Sequence, residues 1–290
     1  MVTPAMLQDP AIRRRLGNIV PAWTLLDPTS LAALRRPLSS RDRPLSMVTD
    51  LTPDEISRSA ITRNALILLH AAAVDPGLKL TATGNLSRQV VAEMWDLFTW
   101  PDFDKEEARR FHKVINEPDF LALFLIRHLV EAGRLVDKRK DRLKISASGR
   151  QVLESPGRGA LQALLFHLAF WIADLSYLGR GLLSGWPQRD VGVVLWSLSV
   201  SANEWQSREQ LTRMCTIPIK GVLDLEFDRG TYAMDSIVLR PLLWFGLLEH
   251  RADPIPDQRF AKAHFYRKTP LFDRFLSFDI KLETVAGSRH

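Results

Sequence analysis

The residues whose type and spacing best suggest chemistry are cationic. Between positions 134 and 150 stand Arg134, Lys138, Arg139, Lys140, Arg142, Lys144 and Arg150, against only Asp137 and Asp141. Leu135-Val136 precede the charges, and Leu143-Lys144-Ile145-Ser146 alternates apolar with polar, which reads as a β-hairpin with a basic turn. A basic hairpin tip can lie along a phosphate backbone, where each neutralised phosphate releases counterions. Arg134, Lys138, Arg139, Lys140, Arg142 and Lys144 are therefore the expected nucleic-acid contacts. The bland alternative is a solvated hairpin whose charges keep it in solution.

Other candidate sites carry less. Arg13, Arg14, Arg15, Arg35, Arg36, Arg41 and Arg43 could add phosphate contacts or reach into a minor groove. An arm docked by Leu16, Ile19 and Trp23, with its arginines solvated, is the favoured reading. Asp224, Glu226 and Asp228 alternate with Leu223, Leu225 and Phe227. Three carboxylates on one strand face could hold a hard cation, but strict alternation is also what any half-buried strand produces. The histidines lack metal-ligand spacing: His112 and His128 are isolated, and a turn-rich insert separates His250 from His264. The single cysteine, Cys215, excludes an internal disulfide and a cysteine zinc cluster, and reads as packing. Trp171, Trp196 and Trp244 read as core. There is no glycine-rich phosphate loop, nucleophile elbow or dinucleotide fingerprint. The expectation is a non-enzymatic protein with no catalytic residue, cofactor or metal.

The elements that must position the basic hairpin are well marked. Thr52-Pro53-Asp54-Glu55 is a capping box that predicts a helix to about Val74, stopped by Asp75-Pro76-Gly77. Leu78–Thr81 reads as a short strand. Ser87 caps a helix over Arg88–Phe98, and a further helix is expected from Lys105 to Val114. Phe120–Ala132 is a helix closed by Gly133, then comes the hairpin, then a short helix over Gly149–Glu154. The second half repeats the plan: helices over Asp190–Val200, from Ser207, and over Ser236–Glu249, a strand near His264–Lys268, and a last helix opened by Thr269-Pro270. Ile126–Leu135 can be laid beside Leu239–Leu248, which sets Gly133 opposite Gly246.

The run from Leu80-Thr81-Ala82-Thr83-Gly84-Asn85-Leu86 through Lys144-Ile145-Ser146-Ala147-Ser148-Gly149-Arg150 resembles a winged-helix-like domain of uncharacterised bacterial proteins, some of them described among plasmid or mobile-element passengers. The resemblance covers roughly residues 55 to 280 and implies a fold without supplying catalytic residues. The expected fold class is mainly α with small β-hairpins (α+β). It comprises an N-terminal arm (1–50), a first winged-helix-like unit (51–155), a buried apolar connecting helix (156–187), a second such unit (188–280) and a tail (281–290).

Composition narrows the partners. Lys and Arg outnumber Asp and Glu by 39 to 33, a net charge of +6 that permits an acidic partner without demanding one. Hydrophobic residues at 46% exclude whole-chain disorder. The start of the chain lacks a clean apolar core after Arg13–Arg15, so no signal peptide is expected. Gln162, His167 and Asp174 argue against a membrane span over Gly159–Trp186. A cytoplasmic location is expected. Both helices expected to enter a groove are apolar almost all round: Phe120–Ala132 offers only Arg127, His128 and Glu131, and Ser236–Glu249 offers Arg240 and little more. Base readout needs exposed Arg, Asn, Gln or Lys. Two readings follow. One is double-stranded DNA held through the basic wing with weak base discrimination. The other is a protein-interaction or oligomerisation scaffold built on degenerate winged helices.

Overall fold

A computed structural model describes residues 7–38, 44–101, 103–111, 114–154, 158–179, 181, 186–218, 228–256 and 261–283. The fold is mixed helix and sheet, in two compact units: 1–47 with 170–290, and 48–169.

The segment before residue 48 holds α1 (Pro10–Leu16), α2 (Pro28–Leu34) and β1 (Leu45–Met47). Asp9 and Asp27 each precede a proline at the first helical turn, and each carboxylate accepts from the exposed N–H groups of its helix.

The unit 48–169 opens with the predicted capping box. Thr52 Oγ1 accepts from Glu55 N at 3.2 Å and Glu55 Oε2 accepts from Thr52 N at 2.7 Å. The single helix expected to Val74 is two: α3 (Pro53–Ser57) and α4 (Ala60–Ala73). Ser59 breaks it, because its hydroxyl accepts from Thr62 N and starts a new helix. Then follow β2 (Leu78–Lys79), α5 (Arg88–Leu97) capped by Ser87, α6 (Lys105–Phe111), α7 (Leu121–Ala132), β3 (Val136–Arg139), β4 (Arg142–Ile145), α8 (Ala147–Glu154) and α9 (Gly159–His167). The three strands form an antiparallel sheet in the order β2-β4-β3, with Leu78 opposite Leu143 and Val136 opposite Ile145. Those four side chains are buried beneath the sheet, against a core that includes Leu68, Leu69, Leu123 and Ile126.

The apolar stretch expected to run as one helix over 156–187 is shorter. α9 continues as a π turn over Leu168–Ile172, and a separate 3-10 turn follows at Ser176–Gly179. No described helix is long and apolar enough to cross a membrane.

The other unit continues with α10 (Val191–Ser201), β5 (Gln206–Ser207), α11 (Arg208–Cys215), α12 (Arg229–Ala233), a π turn over Met234–Leu239, and α13 (Arg240–Trp244). β6 (Leu248–Pro254), β7 (Lys262–Lys268), α14 (Pro270–Phe275) and β8 (Leu276–Phe278) complete it. Its main sheet has the order β5-β7-β6, and β1 pairs antiparallel with β8. α10 is buried on all sides from Val191 to Leu198. Val193 and Trp196 pack with Trp23, Leu26, Leu31 and Leu34 of the N-terminal segment. Gly192 lets α2 approach: a Cβ there would overlap the Leu34 carbonyl.

The helix expected over Ser236–Glu249 is displaced. It spans α12 to α13 and ends at Trp244, because Gly246 (φ 75°) takes the left-handed position and Leu247 N donates back to Leu242 O. Pro241 cannot donate to the carbonyl of Ile237, and the π turn lies just before it.

Candidate nucleic-acid interface

The end of α7 sets the geometry of the basic hairpin. Leu135 N donates to Val130 O, so the left-handed residue that closes α7 is Arg134 (φ 53°), and Gly133, the C-cap after Ala132, stays right-handed (φ −75°). The equivalent of Gly246 is therefore Arg134, one residue later than the sequence register suggests. Gly133 answers to packing instead, since a Cβ there would press on Leu168 Cδ1 at 3.1 Å.

β3 and β4 pair from Val136–Ile145 to Arg139–Arg142 around a two-residue turn, Lys140-Asp141, with Lys140 also left-handed (φ 55°). Place in the sheet divides the six predicted cations: Arg142 and Lys144 stand on β4, the central strand, beside the segment that leads into β2. Arg142 and Lys144 are half-buried and serve the fold. Arg142 Nη1 donates to Gly77 O at 3.2 Å, and Lys144 Nζ meets Asp75 at 3.2 Å. Arg139 is exposed, with Asp137 3.5 Å away. Arg134, Lys138 and Lys140 are exposed and make no ion pair among the described residues. The Lys138 ammonium lies over the tight turn at Gly84, where a Cβ would come within 3.1 Å of it. Arg150 is exposed on α8.

α7 itself offers almost nothing to a base. Arg127 is only 8% exposed and is held by three acceptors: Glu117 at 2.6 Å, Glu131 at 2.9 Å and Gly84 O at 2.8 Å. Glu117, 1% exposed, also accepts from Leu86 N at 2.6 Å. This buried pair ties the turn before α5 to the start of α7. The outward stripe of α7 is Leu121, Phe124 and His128, and the His128 ring packs on Phe124 at 4.1 Å.

The hairpin of the other unit differs in charge. Arg251 pairs with Asp253 at 3.1 Å and Arg267 with Glu249 at 2.8 Å, and both guanidiniums lie about the Trp205 ring, at 5.1 and 4.9 Å. These two arginines are already engaged.

That hairpin also joins two residues that looked unrelated. β6–β7 register places His250 opposite Tyr266 and Ala252 opposite His264. His250 Nε2 and His264 Nδ1 are 2.9 Å apart, with ring planes 8° apart and centroids 5.2 Å apart. An N···N distance shorter than a stacking separation means that the rings meet edge to edge and share one proton. Lone pairs aimed at each other do not converge on a metal, and no cluster of three metal-ligating side chains exists among the described residues. Tyr266 donates to buried Asp235 at 2.6 Å, and Arg208 lies 3.7 Å from the same carboxylate. Burial is the main cause that holds the His264 imidazole below its ordinary pKa, with Arg208 and His250 adding to it and Asp235 and Glu209 opposing. The sign follows from proton counting. Below the unfolded value of 6.5 the unfolded chain takes up more protons than the folded one, so stability present above pH 6.5 is lost as pH falls below it. Urea midpoints are expected to fall between pH 7.5 and 5.5, and His264→Gln should flatten that fall. An equal pH dependence in the variant would overturn the assignment.

The remaining predicted residues are dispersed. Arg15 is buried in an ion pair with Asp228, and Arg35 pairs with Asp190 at 2.7 Å. Arg13, Arg14 and Arg36 are exposed, while Arg41 and Arg43 lie outside the described residues. Asp224 and Glu226 also lie outside them. Asp228 sits at the start of α12 rather than in a strand. His112 is likewise outside. Cys215 is fully buried, which pushes its thiol pKa up and leaves it inert. Trp196 and Trp244 are buried and Trp171 is half-buried.

Residues 57–158 match the family model of the Y4jL N-terminal domain. The segment is similar to the uncharacterized protein y4jL of Sinorhizobium fredii (strain NBRC 101917 / NGR234), 30% identical over 103 residues, which is 36% of this chain and 47% of that protein. The similarity thus links this segment to an uncharacterised bacterial family, and spans less than half of the relative's length. No solved structure matches the chain.

Proposed function

We propose that the chain is a non-enzymatic, DNA-associated protein with two winged-helix units, which holds duplex backbone through the first wing and discriminates little between bases. Each unit runs helix, strand, helices, strand, strand, with three helices (α5, α6, α7) between the strands in the unit 48–169 and two (α11 and α12–α13) in the other, and with the first strand beside the last in the sheet. That order supports a winged-helix reading, in which α7 and the α12–α13 helix would take the recognition position.

One observation carries the DNA reading. Of the three non-glycine residues at positive φ among the described residues, two are Arg134 and Lys140, both exposed and flanking the wing. Long cationic side chains at backbone positions that favour glycine cost stability and are kept where they serve something else. Phosphate contact suits them, since Arg127 is withdrawn from any groove and cannot read a base edge.

The test is fluorescence anisotropy on two unrelated 30-base-pair duplexes at low salt. Comparable affinity for both, falling steeply with added salt, is expected. Absence of binding to either would sink the reading. The half-exposed Leu121 and Phe124 favour the second reading, in which α7 docks a protein or a second copy of the chain. Sedimentation that shows a dimer weakened by Phe124→Ser, with no duplex binding, would establish it instead.

A further inference from the structure

We infer that the unit 48–169 contains a binding site for a small amphipathic carboxylate, in the cavity between α3, the start of α4 and Arg158. The inference is independent of the DNA reading. The cavity measures about 420 Å³ and is lined by Leu51, Pro53, Ile56, Ser57, Arg63, Leu66 and Arg158. That size suits a small ligand rather than a single water or ion.

Its chemistry is one-sided. Leu51, Pro53, Ile56 and Leu66 make an apolar wall, two arginines face it, and no Asp or Glu lines it among the described residues. Arg63 is fixed in place. Its Nη1 donates to Ser57 O at 2.6 Å, and its Nη2 donates to Thr99 O at 3.1 Å and Thr99 Oγ1 at 2.8 Å. These acceptors are neutral, and Arg63 makes no ion pair among the described residues. Burial alone lowers its pKa, with no carboxylate raising it again. A half-desolvated guanidinium without a counter-anion is a place where a ligand anion gains more than it would in water. Arg158 supplies a second, exposed cation from the start of α9.

A similar-sized cavity beside α5 shows what distinguishes this one. It is lined by Arg88, Arg109 and Trp95, but also by Asp96, which already pairs with Arg109 at 3.6 Å. There the charge is met from within. Around Arg63 it is not, and the apolar wall selects a carboxylate carried on a hydrocarbon body over a bare ion.

The probes are octanoate, 1-octanol and inorganic phosphate, titrated into the full chain by NMR with thermal shift as a second readout. Octanoate is expected to bind saturably, at about tenfold lower Kd than octanol, with phosphate not binding. Arg158→Met, at an exposed position, should reduce the preference of octanoate over octanol, leaving the part due to Arg63, while the protein stays folded. Ser57→Trp, which narrows the mouth, should abolish both. Equal affinity for octanoate and octanol, phosphate binding as tightly as octanoate, or an unchanged preference in Arg158→Met would each overturn the inference.

Discussion

Replacing Arg134 and Lys140 together by glycine is expected to make the protein more stable and a poorer duplex binder. Each residue sits at a φ near +55°, where a Cβ is crowded by backbone and glycine is not. Relief is worth about 1 kcal/mol at each site, partly offset by the greater freedom of glycine in the unfolded chain. The net gain is read as a higher urea midpoint. Binding moves the other way. Each lost phosphate contact lowers affinity alike on any sequence and reduces the slope of log affinity against log salt by about 1, so by about 2 for the pair. Opposite signs from one substitution pair separate function from packing. If the variant is more stable and binds duplex with an unchanged salt slope, these cations are not phosphate contacts. If it is destabilised, the backbone argument fails.

Arg127→Met carries the largest expected loss of stability. The side chain leaves behind Glu117, a carboxylate 1% exposed whose charge Arg127 neutralises at 2.6 Å. Breaking one side of a buried ion pair typically costs about 3–5 kcal/mol, because the partner's desolvation is no longer offset. Chemical denaturation of the full chain measures it. Adding Glu117→Gln should recover much of the loss, since a neutral amide oxygen can still accept from Leu86 N without a buried charge. A loss under about 1 kcal/mol, or no recovery in the double variant, contradicts the role given to this pair. Below its melting range Arg127→Met is expected to bind duplex as the parent does, because Arg127 reaches no groove.

What the sequence declares about this fold is mostly local. Thr52-Pro53-Asp54-Glu55 and Ser207–Gln210 form the capping boxes their spelling implies, and Ser87 caps α5 as its position suggests. Such caps need only three or four neighbouring residues to agree. The errors came where a second, distant element decides. Gly133 does follow the last residue of α7, yet it stays right-handed beside Leu168 and the left-handed position passes to Arg134. The π turn before Pro241 displaces the helical period that sequence spacing relies on.

The site was half legible. Composition located the basic hairpin, but not that Arg142 and Lys144 belong to the fold while Arg134, Lys138 and Lys140 remain exposed. Strand alternation in Leu143-Lys144-Ile145 shows which face is buried, but it turns Lys144 outward; its partner Asp75 and the Gly77 carbonyl that holds Arg142 come from a segment some 65 to 69 residues away. Arg127 in an apolar helix was a signal for a buried partner, since an isolated charge there would be costly. The His250–His264 contact was hidden by its turn-rich insert, because only a hairpin register brings residues 14 apart in sequence to 2.9 Å.

The pairing of β1 with β8 has a consequence for how the chain is made. The unit 48–169 is continuous and has all its strands in hand once residue 145 has emerged from the ribosome. The other unit is interrupted by it. Leu45–Met47 must wait for Leu276–Phe278, and the Trp23 cluster must wait for α10. Synthesis from the N-terminus therefore matures the unit 48–169 first, while an exposed apolar segment is carried ahead of it unpaired. Stalled or truncated products would have a finished basic hairpin and an unfinished host, an imbalance that places the chain's aggregation hazard in its first 47 residues rather than in that charged hairpin.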